Sequence, residues 1–350
     1  MIQGLRLTLW LVALAALHMM IAGAGFLAPY DPAEQDRENP YSPPTRIHLI
    51  DEHGRIHSRP FFYGTRVRER SFDQAAEDIS KVGQLHFFVR GANYRVLGFI
   101  PTRWHLFGAE GARFYLLGSD AFGRDQFSRI LCGGQVSLLA GFLGAACTLL
   151  LGGAIGTMAG FYGGWRDALL MRLAELFLAL PWLYLLLALR AFLPLTVRPS
   201  EAFFLVVVVL GTVGWARPAR LVRSIVLSAK ERDFVRAARG FGATDGYLLR
   251  HHILPETSSV LLAQAAILVP QFVLAEMTLS FLGLGMPEPV PSWGNLLATL
   301  QQYSVLVSYW WMYLPALACV PFFAGYLGLA NALHVGAVAE KIQAGLGGPT

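Results

Sequence analysis

The chain has 350 residues, of which 55% are hydrophobic and only 15% charged, and its mean hydropathy is +0.47. Soluble globular domains carry charge on about a quarter of their residues, so an ordinary water-soluble fold is excluded. The net charge of +5 equals the surplus in one loop, residues 214–255, where eight Arg/Lys face three Asp/Glu between two apolar runs. Basic charge confined beside apolar spans sets membrane orientation, and a nucleic-acid surface is not its meaning.

A crossing needs about 20 mostly apolar residues. The first such run is 7–28, preceded by Arg6. Ala22-Gly23-Ala24 is similar to a signal-peptidase site, but the run is long for a signal segment, so an uncleaved anchor is expected.

Residues 29–127 follow, with thirteen basic and thirteen acidic side chains that cancel. Turn residues at Asp51-Glu52-His53-Gly54 and at Gly91-Ala92-Asn93, flanked by alternating apolar residues, predict two hairpins and a small β-rich lobe. His48, His53 and His57 lie close in sequence there, and a turn accounts for them better than a metal site. The lobe ends in Gly118-Ser119-Asp120-Ala121-Phe122-Gly123-Arg124-Asp125. Here Ser119 or Asp120 is expected to cap an interfacial helix that turns Phe122, Phe127, Ile130 and Leu131 to the bilayer.

The next span, 136–161, carries Ala140, Gly144, Thr148, Gly152, Gly156, Gly160 and Gly164 at intervals of four, a single stripe of small side chains. Lipid gives helices no hydrophobic reason to associate, so close approach through small residues has to supply it. Packing within its own bundle is the expected use, and a second chain is the alternative. Spans 168–193 and 202–216 follow; the latter is short, and its helix continues past the membrane from Arg217 to Ala229. Arg172 and Glu175, one turn apart, are read as an ion pair.

The basic loop 217–255 then predicts a helix over 230–241, a break at Gly240 and Gly242, and a second helix capped by Thr244 or Asp245. Its small middle suits a groove on another protein better than a lipid surface. Spans 257–284 and 309–334 complete six crossings, which put both termini and the basic loop in the cytoplasm. Glu276, near the outer end of the fifth span, and Ser280 beyond it are candidates for a translocation path, with a bond between neighbouring helices as the alternative for Glu276.

The expected domains are therefore an anchor (1–28), an outer insert (29–117), a core (118–335) and a tail (336–350). No HExxH is present, and the three lysines (Lys81, Lys230, Lys341) lack a preceding glycine, so there is no P-loop. Cys132, Cys147 and Cys319 have no metal-type spacing. A metal, a cofactor and an ATPase site of its own are not expected.

Three blocks carry a family resemblance. Arg236-Ala237-Ala238, Gly242 and Ile253-Leu254-Pro255 resemble the coupling loop of ABC-importer permeases, and the wording AARGFGATD then HHILP is similar to the dipeptide/oligopeptide/nickel branch. Residues 118–125 with Ser128-Arg129 resemble its GTDxxGRDxxSR, with Ser119 for threonine and Gln135 where arginine is common. Residues 279–285 with 291–295 resemble its SFLGLG and PSWG.

The resemblance implies an all-α membrane protein of the type I ABC-importer permease fold, with six transmembrane helices and a small β-containing extracytoplasmic insert. It implies a bacterial cytoplasmic membrane and a pore-forming subunit of an ATP-driven importer for peptides or similar solutes. Its partners would be a second permease subunit, two ATPase subunits and an extracytoplasmic binding protein. By the same resemblance Arg236, Ala237, Ala238, Gly240, Gly242, Ala243, Asp245 and Tyr247 dock in a cleft of the ATPase. The glutamate that opens the general motif is Arg236 here, so its charge contact does not carry over. Two other readings stand beside this one, an ion-coupled transporter and a membrane-anchored scaffold or enzyme; co-isolation with an ATPase separates them.

Overall fold

The computed structural model describes residues 2–50, 55–66, 76–96, 99–192 and 198–346. In chain order, α1 (Ile2–Ala22) and α2 (Ala24–Leu27) precede β1 (His48–Ile50), β2 (Ile56–Arg66), β3 (Ala76–Val96) and β4 (Ile100–Glu110). Then come α3 (Gln126–Tyr162), α4 (Gly164–Ala179), α5 (Trp182–Ala191), α6 (Pro199–Gly214) and α7 (Ala216–Lys230). The rest is α8 (Asp233–Gly240), α9 (Asp245–Leu248), α10 (Leu254–Phe281), α11 (Trp293–Ala298), α12 (Tyr303–Ser308) and α13 (Leu314–Leu346). Two compact units share this chain: residues 1–11, 138–279 and 325–350 form a helical one, and residues 12–137 and 280–324 a mixed one.

Among the described residues four helices are long and apolar enough to cross a membrane, or up to six if each of two bent pairs is a single crossing. The first bent pair lies in the span expected over 168–193: α4 and α5 meet at 92°. Pro181 lacks an N–H and crowds the residue before it, and Leu180 is accordingly extended (φ −82°, ψ 137°). In the second, α6 and α7 are bent by 45° at Trp215, and Pro218 sits in the first turn of α7, where the missing N–H costs nothing.

In the helical unit the small stripe of α3 lies against α6 and α7. A Cβ at Gly152 would come 2.8 Å from the Pro218 side chain, at Gly156 2.3 Å from the Ala219 carbonyl, and at Gly160 2.8 Å from Val226 Cβ. Thr148 Oγ1 donates to the carbonyls of Leu210 and Gly211, each at 3.3 Å. The stripe thus packs inside its own bundle, and it stops at Gly160. Gly164 has left the helix: with Gly163 it takes positive φ to turn into α4, and nothing lies within 4 Å of either.

In the mixed unit the four strands form one antiparallel sheet in the order β1-β2-β3-β4. Phe62 is fully buried over Gly83 and packs on Phe114 at 5.2 Å. Phe107 meets Phe114 edge-on and Phe127 at a tilt. The hairpin expected around Gly91-Ala92-Asn93 is not a turn. Those residues run inside β3, at a register irregularity between Arg90 and Tyr94. The cause is His105 on β4: its ring lies 2.8 Å from where a Gly91 Cβ would be, and its Nε2 contacts the Ala92 carbonyl at 2.9 Å. The chain bulges around that ring instead of reversing. The turn expected at residues 52–54 lies outside the described residues.

Candidate functional site

The loop between α7 and α10 is built on one apolar cluster. Val222, Val226 and Ala229 of α7, Val235 of α8, Leu248 of α9 and Ile253 are all at most 2% exposed, with Phe161 from α3 beside them. Burial of a valine or leucine stabilises by about 1.5–3 kcal/mol, so these side chains hold α8 and α9 in place rather than leaving a floppy loop. Polar clamps add to this. Lys230 Nζ donates to the Gly160 carbonyl at 3.1 Å, and Arg232 donates to Glu256 at 2.8 Å.

Gly240 and Gly242 separate the two short helices. Gly242 has φ +86°, a conformation that L side chains rarely adopt, and Thr244 Oγ1 accepts from Tyr247 N to start α9. Arg239, in the last turn of α8, donates to Asp245 at 3.4 Å and lies over the Phe161 ring at 5.4 Å.

The opposite side of the loop faces outward. Phe241 is 93% exposed, Tyr247 48% and Phe234 46%, and Arg236, Ala237, Gly240, Gly242 and Asp245 are exposed around them. Ala238 and Ala243 instead rest on the apolar cluster. Phe234, Ala237 and Phe241 thus lie on the presenting side of the loop and Ala238 on its anchoring side.

The block at 118–125 corrects a second expectation: it is a tight turn stitched by a bridge between Ser119 and Asp125, not an interfacial helix. Gly118 and Gly123 have positive φ, and a Cβ at Gly123 would meet the Asp36 carbonyl at 1.9 Å. The helix begins only after this turn, at Gln126, and Asp125, not Ser119 or Asp120, accepts from the N–H of Ser128 at its start. Ile130 and Leu131 are buried, not turned to lipid.

Charges dominate this turn. Asp120 accepts from the N–H groups of Phe122 and Arg124, and from Arg124 Nε at 2.7 Å. Arg124 and Arg129, 4% and 1% exposed, both reach Glu288, at 2.5 and 3.0 Å. Glu288 was not legible in the sequence, because 159 residues separate it from Arg129. Asp125 accepts from the Ser128 N–H and hydroxyl, and burial pushes its carboxyl up to about 6 against those bonds.

The remaining residues are held separately. Glu276 in α10 is fully buried. Ser280 Oγ accepts from Met286 N at 3.1 Å, beneath Gly285, so it closes a turn. In the PSWG block Ser292 and Asn295 form a capping box, and the Trp293 indole donates to the Ile130 carbonyl at 3.0 Å. A cavity of about 300 Å³ lies at the two helix breaks, lined by Pro181, Trp182, Gly214, Arg217, Gln271 and Phe272.

Residues 152–334 match the family model described as "Binding-protein-dependent transport system inner membrane component". The chain is 36% identical over 214 residues to a putative peptide permease protein of Brucella ovis, covering 61% of this chain and 66% of that one. It is 39% identical over 202 residues to the oligopeptide transport system permease protein OppC of Escherichia coli K12 (58% and 65%). It is 34% identical over 200 residues to the dipeptide transport system permease protein DppC of Bacillus subtilis (57% and 60%). Each match thus spans slightly under two thirds of the relative's length. Among solved structures, an inward-facing MetNI methionine ABC transporter chain aligns with 58% of this chain and 95% of its own, at 18% identity and a TM-score of 0.41.

Proposed function

The chain belongs to the family of binding-protein-dependent transport system inner membrane components, and we propose from this premise that it is a pore-forming permease subunit of an ATP-driven peptide importer. The observation that carries the reading is the loop of α8 and α9. It presents Phe241, Tyr247 and Phe234 on a base of fully buried side chains, which is how a rigid crest would enter a groove on an ATPase. Hydrolysis on that partner then moves α8 and α9, and α7 transmits the motion to the α3 stripe packed along it.

The bent pairs α4–α5 and α6–α7 each count as one crossing in this reading, giving six, with the loop cytoplasmic and the sheet outside a bacterial inner membrane. A related second permease, two ATPase subunits and an extracytoplasmic binding protein complete the assembly. Peptides are the substrate class, in keeping with the names of the relatives. The cavity at the helix breaks, with Gln271 and Arg217, belongs to the path, and the fully buried Glu276 lies on the same helix as Gln271.

The test is isolation of the tagged chain from its native membrane in mild detergent, followed by reconstitution. ATPase subunits should co-purify, and uptake of a labelled peptide mixture should require ATP and a loaded binding protein. Uptake that follows an ion gradient without ATP, or a chain isolated alone, overturns the reading.

A further inference from the structure

The hairpin of β3 and β4 hangs from the end of the first membrane helix, and its direction can be read from two contacts. As the chain leaves α1 at Ala22, Gly25 is nearer to the helix end and Ala28 farther from it. Tyr94, nearer to the hairpin tip, packs on Gly25, where an added Cβ would fall 2.2 Å from its ring. His105, farther from the tip, holds the Ala28 carbonyl through Nδ1 at 2.6 Å. The end of the hairpin that carries Tyr94 therefore lies beside the part of the chain nearer to α1, and the end that carries His105 beside the part farther from it.

What the hairpin exposes suits a membrane surface. Phe99 is 86% exposed, Phe87 67%, Ile100 65%, Phe88 64% and Trp104 47%, a concentration that water alone does not tolerate well. From Gln84 to Ala109 the sequence holds Arg90, Arg95 and Arg103 and no acidic residue. Arg90 lies over the Trp104 ring at 5.0 Å, and Arg103 donates to Asn93 on the paired strand. Aromatic residues with arginine belong at a headgroup layer, where rings sit in the boundary and cations meet phosphates.

We propose that the β3–β4 hairpin is a membrane-surface anchor, seated in the headgroup layer of the leaflet into which α1 emerges and drawn there by anionic phospholipid. It rests on the membrane reading of α1. The seat fixes the sheet relative to the bilayer at a second point besides the chain connection, so the lobe stays oriented while the helices move.

The test uses the full chain in proteoliposomes of phosphatidylcholine with and without phosphatidylglycerol. p-Benzoylphenylalanine at Phe99 is irradiated, with Glu110, at the far end of β4, as the comparison site. Position 99 should cross-link to lipid, and position 110 should not. Phosphatidylglycerol should raise the yield at 99, and the triple change Arg90→Gln, Arg95→Gln, Arg103→Gln should remove that rise, each arginine being worth about a fivefold shift in the seated population.

Cross-linking of position 99 to a protein, or equal yields at both positions, overturns the anchor. Labelling of cysteines at Glu110 and Thr244 by an impermeant thiol reagent from opposite sides tests the membrane reading separately: if they label from the same side, that reading fails, whatever position 99 contacts.

Discussion

Arg223 of α7 donates through Nε and Nη2 to both carboxylate oxygens of Asp167 at the start of α4, at 2.5 and 2.6 Å. This two-pronged pair joins the helix that follows the Gly163-Gly164 turn to the helix that carries the outward-facing loop. A planar guanidinium matches a carboxylate at two points, so the pair fixes an angle as well as a distance. Asp167→Asn and Arg223→Gln should each lower stability by about 1–2 kcal/mol, with a double change well short of additive. Thermal unfolding of the four variants in detergent gives the coupling. If the costs add, the pair contributes nothing of its own. Arg223→Lys keeps the charge but not the fork and should slow transport more than it lowers stability.

Gly240 offers a clean probe of the loop, because it has open space around it and no positive φ. Gly240→Trp and Phe241→Asp should leave insertion and melting unchanged while transport falls by at least about tenfold, the effect of losing one interfacial anchor. Ala238→Arg is a poorer probe, since Ala238 packs on the buried cluster and its change also loosens the fold. Normal transport with Gly240→Trp at normal expression sinks the coupling role.

The stripe on α3 predicts a contrast three residues apart. Gly156→Leu drives a side chain into the Ala219 carbonyl, and overpacking of this kind costs about 1–3 kcal/mol. Gly153→Leu meets only Leu261 at 3.7 Å and should fold normally. The ratio of folded yield after membrane extraction distinguishes them, and equal yields would show that close approach of α3 and α7 is dispensable.

The carboxyl of Asp125 is raised by burial from the ordinary carboxylate range to about 6. A group raised in the folded state favours folding while protonated. That contribution is present below about pH 4 and is lost as pH climbs through 6, where the charge must be carried buried; at pH 7 and above the deficit approaches about 3 kcal/mol. Asp125→Asn keeps an acceptor for the Ser128 bonds and never ionises. Its unfolding midpoint should therefore rise above that of the wild type as pH increases from 4 to 7, with little difference at pH 4. A constant offset across that window refutes the assignment.

Family, apolar helices and the basic loop were legible in the chain itself, because each rests on local quantities. Hydrophobicity over twenty residues, the sign of charge between spans, and small or turn-forming residues at short spacing need no partner to be read. The division of the loop at Gly240 and Gly242 belongs to the same class, as does the stripe from Gly144 to Gly160, whose interval of four is helical geometry.

What the chain could not state by itself is which distant groups meet. Leu180-Pro181 announces a kink, but a right-angle break depends on what packs around it. Gly91-Ala92-Asn93 has the composition of a turn and becomes a bulge because the His105 ring from the next strand occupies the space. Residues 118–125 carry a capping pattern, yet Arg124 within them and Arg129 beyond them both reach Glu288, which only folding brings near. Arg124 and Arg129, once buried, needed a carboxylate within reach whatever its position in sequence, since an unpaired buried charge costs several kcal/mol.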